Sequence, residues 1–575
     1  MSIDVTVTIG GAAGQGIQTV GDLLASVCHR AGLYLMAVND FESRIRGGHS
    51  FIQLRISDQP VGASDDPVHL LVALNQETYA IHAAEMVENG RVLIDLDQAG
   101  GEGTPEGDRG VNVAFAQLAK EAGGKILANT VAAGAVLGML GAPAGLLDEV
   151  LAVRFGEKSS DVLENNQNAA RLGREAVAQA TFAYHFDWPQ RGPRGKLLSG
   201  ARALALGALA GDCRMAAFYP MSPATGIMAE LAEFMADFPV VVEQAEGEIA
   251  AINMVIGASF AGVRSMTATS GGGFSLMVEG LGLAAITETP VVVINAQRPG
   301  PATGLPTRTA QGDLRFVIHA SQDEFPRFVL APSRIDEGFE TVIRGFHLAE
   351  KYQVPVIILT DQYFNDSLSI AEADWRAPET IERFLVSDAD MTDPASYRRF
   401  AVTESGVSPR AVPCQGKARV MVTGNEHRED GHLSEAIEDR NAQFNKRKTK
   451  LSGMAEEING PAAYFGESPL LFVTWGSTAG AVWEAADRMR RAGHDVGALV
   501  FTDLWPFPSE AATRALSCCE QFVTVELNGS SQLGGLIREQ TGMVPAGAIL
   551  QYDGRPMRPG RIVEQSKRYL EAKNA

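Results

Sequence analysis

The sequence predicts an α/β protein made of several wound domains, and three observations carry that prediction. Short aliphatic runs such as Pro290-Val-Val-Val-Ile294 and Val354-Pro-Val-Ile-Ile-Leu-Thr360 recur with helix-period stretches between them. Glycine-rich turns follow two strand-like runs, at Gly10-Gly-Ala-Ala-Gly-Gln-Gly16 and Ser270-Gly-Gly-Gly273. The chain has 575 residues, 45 % of them hydrophobic and 60 of them glycine, which suits about three or four cored domains. Strands alternating with helices imply right-handed crossovers and parallel sheets, with ligands outside the carboxyl ends of the strands.

The first unit opens with Ile3-Asp-Val-Thr-Val-Thr-Ile9, which alternates like a strand, then the glycine turn, then a helical pattern ending near Ala31-Gly32. The glycines fall as Gly11-x-x-Gly14-x-Gly16, which is neither a dinucleotide fingerprint nor a P-loop. Such a turn can hold a phosphate on its amides or simply pack tightly against its helix. Further strands are expected at His69-Leu-Leu-Val-Ala-Leu74 and Arg91-Val-Leu-Ile-Asp95. The basic loop Glu42-Ser-Arg-Ile-Arg-Gly-Gly-His49 can face an anionic ligand, a partner or solvent. Residues 126–147 carry no charge and include Asn129, Thr130 and Pro143. They read as a buried helix capped by Asn129 or Thr130, not as a membrane span. His185-Phe-Asp-Trp-Pro-Gln-Arg-Gly-Pro-Arg-Gly195 reads as a linker.

In the second unit strands recur near 215, 240, 263, 290 and 354. Beyond 373 the pattern loosens. There Ser434-Glu-Ala-Ile-Glu-Asp-Arg opens a helix that Lys446-Arg-Lys-Thr-Lys450 is expected to close, with Ile437, Phe444 and Leu451 as its packing stripe. The last unit is again α/β, from the strand Leu470-Leu-Phe-Val-Thr474 onward, without a catalytic constellation of its own.

The net charge of −20 argues against nucleic acid and anionic membrane as partners. Cys28, Cys213, Cys414, Cys518 and Cys519 are scattered without Cys-x-x-Cys spacing, which argues against a disulfide framework, a zinc site or an iron–sulfur cluster on this chain. A reducing, cytoplasmic location is the natural expectation, and Met1-Ser-Ile-Asp-Val-Thr does not read as a signal peptide.

Three loops should share the carboxyl edge of the second sheet: 219–225, 269–273 and 297–309. Ser222 sits between two prolines on a stiff turn. Arg298 follows a strand, where its guanidinium can fork onto a carboxylate, and Thr303, Thr307 and Thr309 add hydroxyls. Each alone is ordinary turn chemistry; together they suggest a site for a small carboxylate. Glu246 and Glu248 stand before a helix of small and aliphatic residues, and spacing alone makes either a first-turn acid.

Tyr219-Pro-Met-Ser-Pro-Ala-Thr225, Thr269-Ser-Gly-Gly-Gly-Phe-Ser-Leu-Met277 and Thr303-Gly-Leu-Pro-Thr-Arg308 resemble the 2-oxoacid:ferredoxin oxidoreductases. Gly10–Gly16 with Arg46-Gly-Gly48 resembles their γ domain, here fused ahead of an α subunit. Thr403-Glu-Ser-Gly-Val-Ser-Pro-Arg410 and Thr423-Gly-Asn-Glu-His427 resemble the region before the final domain. The resemblance implies a γ-type domain at 1–184, a linker at 185–196 and a thiamine diphosphate pyrimidine-binding domain at 197–372. A connecting segment at 373–463 and a transketolase C-terminal-like domain at 464–575 complete the chain.

Members of this family place a glutamate nine residues before a glycine, with alanine at the third step. Glu248, Ala251 and Gly257 fit that pattern, and Glu246 does not. The resemblance makes Glu248 both the catalytic and the cofactor-binding carboxylate, hydrogen-bonded to the aminopyrimidine ring so that the thiazolium can lose its C2 proton. It makes Ser222, Arg298 and Thr307 the residues that bind the substrate. Serine stands at 222 where the family usually has threonine.

The Gly-Asp-Gly that holds the diphosphate and its cation is missing from the sequence. The implied enzyme therefore needs a β subunit carrying the diphosphate site, Mg2+ and a [4Fe–4S] cluster, in an α2β2 assembly. It would decarboxylate a 2-oxoacid, best matched by 2-oxoglutarate, transfer the acyl group to coenzyme A and pass electrons to ferredoxin. Pyruvate and branched-chain 2-oxoacids are the alternative substrates. A transketolase-like transferase and a non-catalytic coenzyme A-binding module are the alternative functions.

Overall fold

The computed structural model describes residues 3–12, 14–41, 48–96, 105, 107–189, 191–389, 391, 396–416 and 419–571. The described residues form two compact units. The first comprises Met1–Leu198, Ser367–Glu372 and Arg558–Gly560; the second comprises Ser199–Asp366, Ala373–Met557 and Arg561–Ala575.

The first unit is built on an eight-stranded mixed sheet. Its strand Asp4–Ala12 pairs antiparallel with His49–Ser57 and parallel with Val68–Ala73. Burial goes further than alternation: Val5, Val7 and Ile9 enter a core with the helix Ile17–Ala31, and Thr6 and Thr8 on the other face are buried too. Gly16 caps that helix at φ 76°, and a Cβ there would strike the Asn129 side chain. A Cβ on Gly10 would lie 2.6 Å from Thr78. These contacts account for Gly10 and Gly16 by close packing, whereas Gly14 has open space at its Cβ position and is required by its φ of 91°.

Residues 126–147 form two helices, Ala128–Met139 and Ala144–Phe155, where the sequence suggested one. Gly141 at φ 72° and Pro143 separate them. The N-cap is Leu127, so the expected Asn129 or Thr130 cap is not formed. Gly134 packs against Ala170 of the helix Ser160–Ala176, leaving no room for a Cβ. The 185–196 segment is tied down: Trp188 is buried and its Nε1 donates to the Leu140 carbonyl. The strand Leu368–Ala371, expected within the second domain, instead pairs antiparallel with Tyr34–Phe41 of this first sheet. Residues 42–47 of the basic loop, Arg46 among them, lie outside the described residues.

The second unit holds two sheets. The larger runs in the order Asp503–Trp505, Phe328–Leu330, Pro355–Asp361, Val291–Gln297, Ser265–Thr269, Met215–Phe218, Val241–Gln244. All neighbours are parallel except Asp503–Trp505. The apolar runs at 291–297 and 355–361 are buried along their whole length, as parallel strands covered on both faces must be. The smaller sheet runs Ala462–Tyr464, Val496–Phe501, Leu470–Trp475, Gln521–Glu526, Gly547–Leu550. Ile252, Phe274 and Val293 share one core with Trp475, Phe501 and Leu536, which joins the two layers.

The helix expected to close at 446–450 runs Ile437–Glu456. Its buried stripe is Gln443, Lys446, Arg447, Lys450 and Met454, while Ile437 is 72 % exposed. Three charges of the expected helix end, Lys446, Arg447 and Lys450, are therefore interior groups. Lys446 and Lys450 both pair with the buried carboxylate of Glu288, which offsets the cost of removing them from water.

Candidate active site

The carboxyl ends of the larger sheet bring three loops together. The first leaves Met215–Phe218 and carries Met221, Ser222 and Pro223. The second leaves Ser265–Thr269 into the helix Gly271–Ile286. The third leaves Val291–Gln297 and carries Arg298 through Gln311. Thr269 Oγ1 lies 3.8 Å from Met221 Sδ, and Arg298 Nη1 donates to the Ser222 carbonyl at 2.7 Å. Asn365 Nδ2 donates to the Pro223 carbonyl at 3.3 Å.

Glu248 is the first residue of the helix Glu248–Phe260, behind the extended cap Gly247. It is 4 % exposed, whereas Glu246 lies on the surface. Ala251, one turn on, is fully buried, and Gly257 leaves open space at its Cβ position. A Cβ on Gly273 would lie 2.5 Å from Glu248 Oε1 and would strike Thr269 Oγ1, so glycine at 273 is what lets the carboxylate tuck against that turn. Glu248 Oε1 has no hydrogen-bond partner within the chain. Ser270 Oγ, Asn295 Oδ1 and Arg298 Nε are likewise buried without partners. An orphaned buried carboxylate oxygen is costly unless a ligand completes it. A carboxyl group can share a proton with the ring nitrogen of an aminopyrimidine, one of them donating and the other accepting, and the residues present therefore fit that half of thiamine diphosphate.

Of the substrate residues expected from sequence, Ser222 and Arg298 are in direct contact, and partial burial pushes the Arg298 guanidinium pKa down. Glu248 joins the same loop cluster through Gly273 and Thr269. Thr307 is half-buried on the third loop, Thr303 is exposed, and Thr309 is buried. Thr309 Oγ1 accepts from the Tyr363 amide at 3.4 Å and hydrogen-bonds to Asp361.

Several residues of this edge escaped the sequence reading. Asn295 Nδ2 donates to Asp313 Oδ2 at 3.0 Å, and the Asp313 amide donates to Gln297 Oε1 at 3.0 Å. A Cβ on Gly271 would lie 2.5 Å from that carboxylate, and burial raises its pKa. Asp361 ends the strand Pro355–Asp361, and burial pushes its carboxyl up to about 6. Their signal was only an acid or amide at a strand end. Among the described residues, no group of three or more His, Cys, Asp or Glu is arranged to hold a metal ion, and no helix is long and apolar enough to cross a membrane.

Three family descriptions match the chain. They are "Pyruvate ferredoxin/flavodoxin oxidoreductase" over residues 6–176, "Pyruvate flavodoxin/ferredoxin oxidoreductase, thiamine diP-bdg" over 206–446, and "Pyruvate:ferredoxin oxidoreductase core domain II" over 469–561. Fold and matches together define an oxidoreductase subunit with a thiamine diphosphate-binding domain. The α subunit of a 2-oxoacid:ferredoxin oxidoreductase from a Sulfolobus species is 33 % identical over 95 % of this chain and 94 % of the relative. The 2-oxoglutarate synthase subunit KorA of Methanothermobacter marburgensis is 30 % identical, covering 64 % of this chain and 97 % of its own. The solved 2-oxoglutarate:ferredoxin oxidoreductase of Magnetococcus marinus, with 2-oxoglutarate, coenzyme A and succinyl-CoA bound, superposes with a TM-score of 0.92. It is 32 % identical and covers 99 % of this chain and all of that one. The chain belongs to the 2-oxoacid:ferredoxin oxidoreductase α subunits, and it is one component of a multi-subunit enzyme.

Proposed function

We propose that this subunit supplies the aminopyrimidine half of a thiamine diphosphate site in an enzyme that converts 2-oxoglutarate and coenzyme A to succinyl-CoA and CO2, with electrons passing to ferredoxin. The single observation that carries the reading is the buried, unpartnered Oε1 of Glu248 beside the Gly271–Gly273 turn. The substrate is favoured by the M. marinus relative, whose solved structure holds 2-oxoglutarate and succinyl-CoA, and by the 2-oxoglutarate synthase subunits.

Thiamine diphosphate, when bound, supplies a nucleophilic carbon and an electron sink for decarboxylation. Glu248 Oε1, buried from bulk water, would hold the aminopyrimidine ring nitrogen and share a proton with it. The Ser222 carbonyl fixes one end of the Arg298 guanidinium, leaving Nε, which has no partner, to donate to the substrate carboxylate. Thr307 adds a hydroxyl to that carboxylate, and the Ser222 hydroxyl serves the reacting carbonyl. The diphosphate, Mg2+ and a [4Fe–4S] cluster belong to a β subunit in an α2β2, cytoplasmic complex, consistent with the missing Gly-Asp-Gly and the scattered cysteines.

The Sulfolobus and Saccharolobus relatives are named for 2-oxoacids in general, which keeps pyruvate and branched-chain 2-oxoacids as competitors. The test is a substrate panel on the complex reconstituted with its partner subunit, with a viologen dye as acceptor. A kcat/KM for 2-oxoglutarate at least ~10-fold above the others is expected, a margin within what pocket contacts deliver. A preference for pyruvate would replace the substrate assignment. Two-carbon transfer without dye reduction would replace the reaction.

A further inference from the structure

The C-terminal sheet has no catalytic constellation, and its carboxyl edge explains why it is there. In a wound sheet that edge is the usual ligand crevice. Here the crevice is filled by the loop that carries Arg298 and Thr307. Gln311, which ends the loop, is fully buried in it. Its Nε2 donates to the Trp475 carbonyl at 2.7 Å, and its Oε1 accepts from Thr478 Oγ1 at 2.8 Å and the Leu527 amide at 3.0 Å. Its own amide donates to the Leu527 carbonyl at 2.8 Å, and its carbonyl accepts from Asn528 Nδ2 at 3.1 Å. Trp475 and Leu527 stand at the carboxyl ends of Leu470–Trp475 and Gln521–Glu526.

Two residues earlier, Thr309 is held the same way. Its amide donates to the Gly554 carbonyl at 3.1 Å, and its hydroxyl bonds to Asp361. Asp361 in turn accepts from the Ser477 hydroxyl, on the turn after Trp475, and from the Phe364 amide at 2.8 Å. Residues 300–305 are exposed, and the Leu305 amide donates within the loop itself, to the Pro299 carbonyl at 3.0 Å. The position of Thr307 is therefore set from the C-terminal side, by Thr309 and Gln311, while Arg298 is set from the other side by Ser222.

We propose that Asp361, Ser477 and Gln311 are positioning residues for the 2-oxoacid, and that the C-terminal domain acts by bracing the substrate loop in its own ligand crevice. This rests on the reading of Arg298 and Thr307 as substrate groups. Misplacing such a loop by about 1 Å costs on the order of 10²-fold in rate where reacting groups lose alignment. A lost hydroxyl at its base should act less and mainly on binding.

The experiment uses the reconstituted complex, with KM and kcat for 2-oxoglutarate measured alongside thermal unfolding. Ser477→Ala should raise KM about tenfold, keep kcat within about threefold and leave the unfolding temperature near that of the wild type. Ser477→Thr, which keeps the hydroxyl, should restore KM. Thr309→Val breaks the same link at Asp361, so the double variant should be little worse than either single one. Should Ser477→Ala not assemble, Thr309→Val alone carries the test. An unchanged KM in these variants, with Arg298→Ala still raising it, would overturn the brace. So would a loss of kcat and thermal stability at constant KM, or fully additive effects. If Arg298→Ala itself leaves KM unmoved, the substrate site is misplaced, which is a separate failure.

Discussion

Glu248 and Glu288 belong to the same domain and are equally removed from water, at 4 % and 1 % exposure, yet their surroundings are opposite. Burial alone would raise the Glu288 pKa, but Lys450, Lys446 and Arg399 hold the carboxyl well below the usual carboxylate range. Those cations come from the helix Ile437–Glu456 and the segment before it, so Glu288 fastens the connecting segment to the larger sheet. Glu350 repeats the device with Arg264, Arg383 and Arg410. Among the described residues no cation pairs with Glu248, whose Oε1 lies against the Gly273 position instead. A buried carboxylate ringed by cations is finished by the fold. One without a counter-ion at the carboxyl edge of a parallel sheet is what the proposed function requires, because its carboxyl is then available to a cofactor from outside the chain.

The two should therefore fail differently. Glu248→Gln is expected to cut turnover of the reconstituted complex by about 10²–10⁴-fold. Its unfolding temperature should match the wild type, and near-normal turnover would remove Glu248 from the chemistry. Glu288→Ala should cost about 3–5 kcal/mol of stability by leaving Lys446 and Lys450 buried without their counter-charge. Denaturant unfolding of the subunit checks this, and a loss below about 1 kcal/mol would make the cluster incidental. Arg298→Ala should lower kcat/KM for the oxoacid about 10–100-fold through loss of a charge-assisted contact, with stability nearly unchanged.

The smallest expected effect is a pH dependence at Asp361. Its folded pKa, about 6, lies above the ordinary aspartate value of 3.8, so the folded state binds this proton more tightly than the unfolded one. Wild type should gain stability from this group as pH falls through about 6, whereas Asp361→Asn cannot. The difference between their unfolding temperatures should shift in favour of the wild type between pH 7.5 and 5. A difference constant with pH would contradict the assignment.

What was legible in the sequence was what local pattern controls. Aliphatic runs located five strands of the larger sheet but not Phe328–Leu330 or Asp503–Trp505, and the proline-flanked Ser222 and the post-strand Arg298 marked two of its loops. What was not legible depended on residues far away in the chain. Lys446 and Lys450 read as a solvated helix end because nothing nearby reveals Glu288. Asp361 drew no reading because Ser477 and Thr309 reach it only in the folded chain. Leu368–Ala371 was not read as a strand, because its partner strand Tyr34–Phe41 lies near the N-terminus. Residues 126–147 read as one helix because uniform apolarity hides a break at Gly141 and Pro143.

The most direct test of Glu248 reads the proton itself. Deuterium exchange at C2 of thiamine diphosphate bound to the reconstituted complex can be stopped with acid and followed by NMR, for wild type and Glu248→Gln side by side. Exchange at least ~10²-fold slower in the variant, with the cofactor still bound, is the expected result for a carboxylate that relays the proton. Equal exchange rates with equal cofactor occupancy would mean that the unpartnered oxygen of Glu248 serves some other purpose.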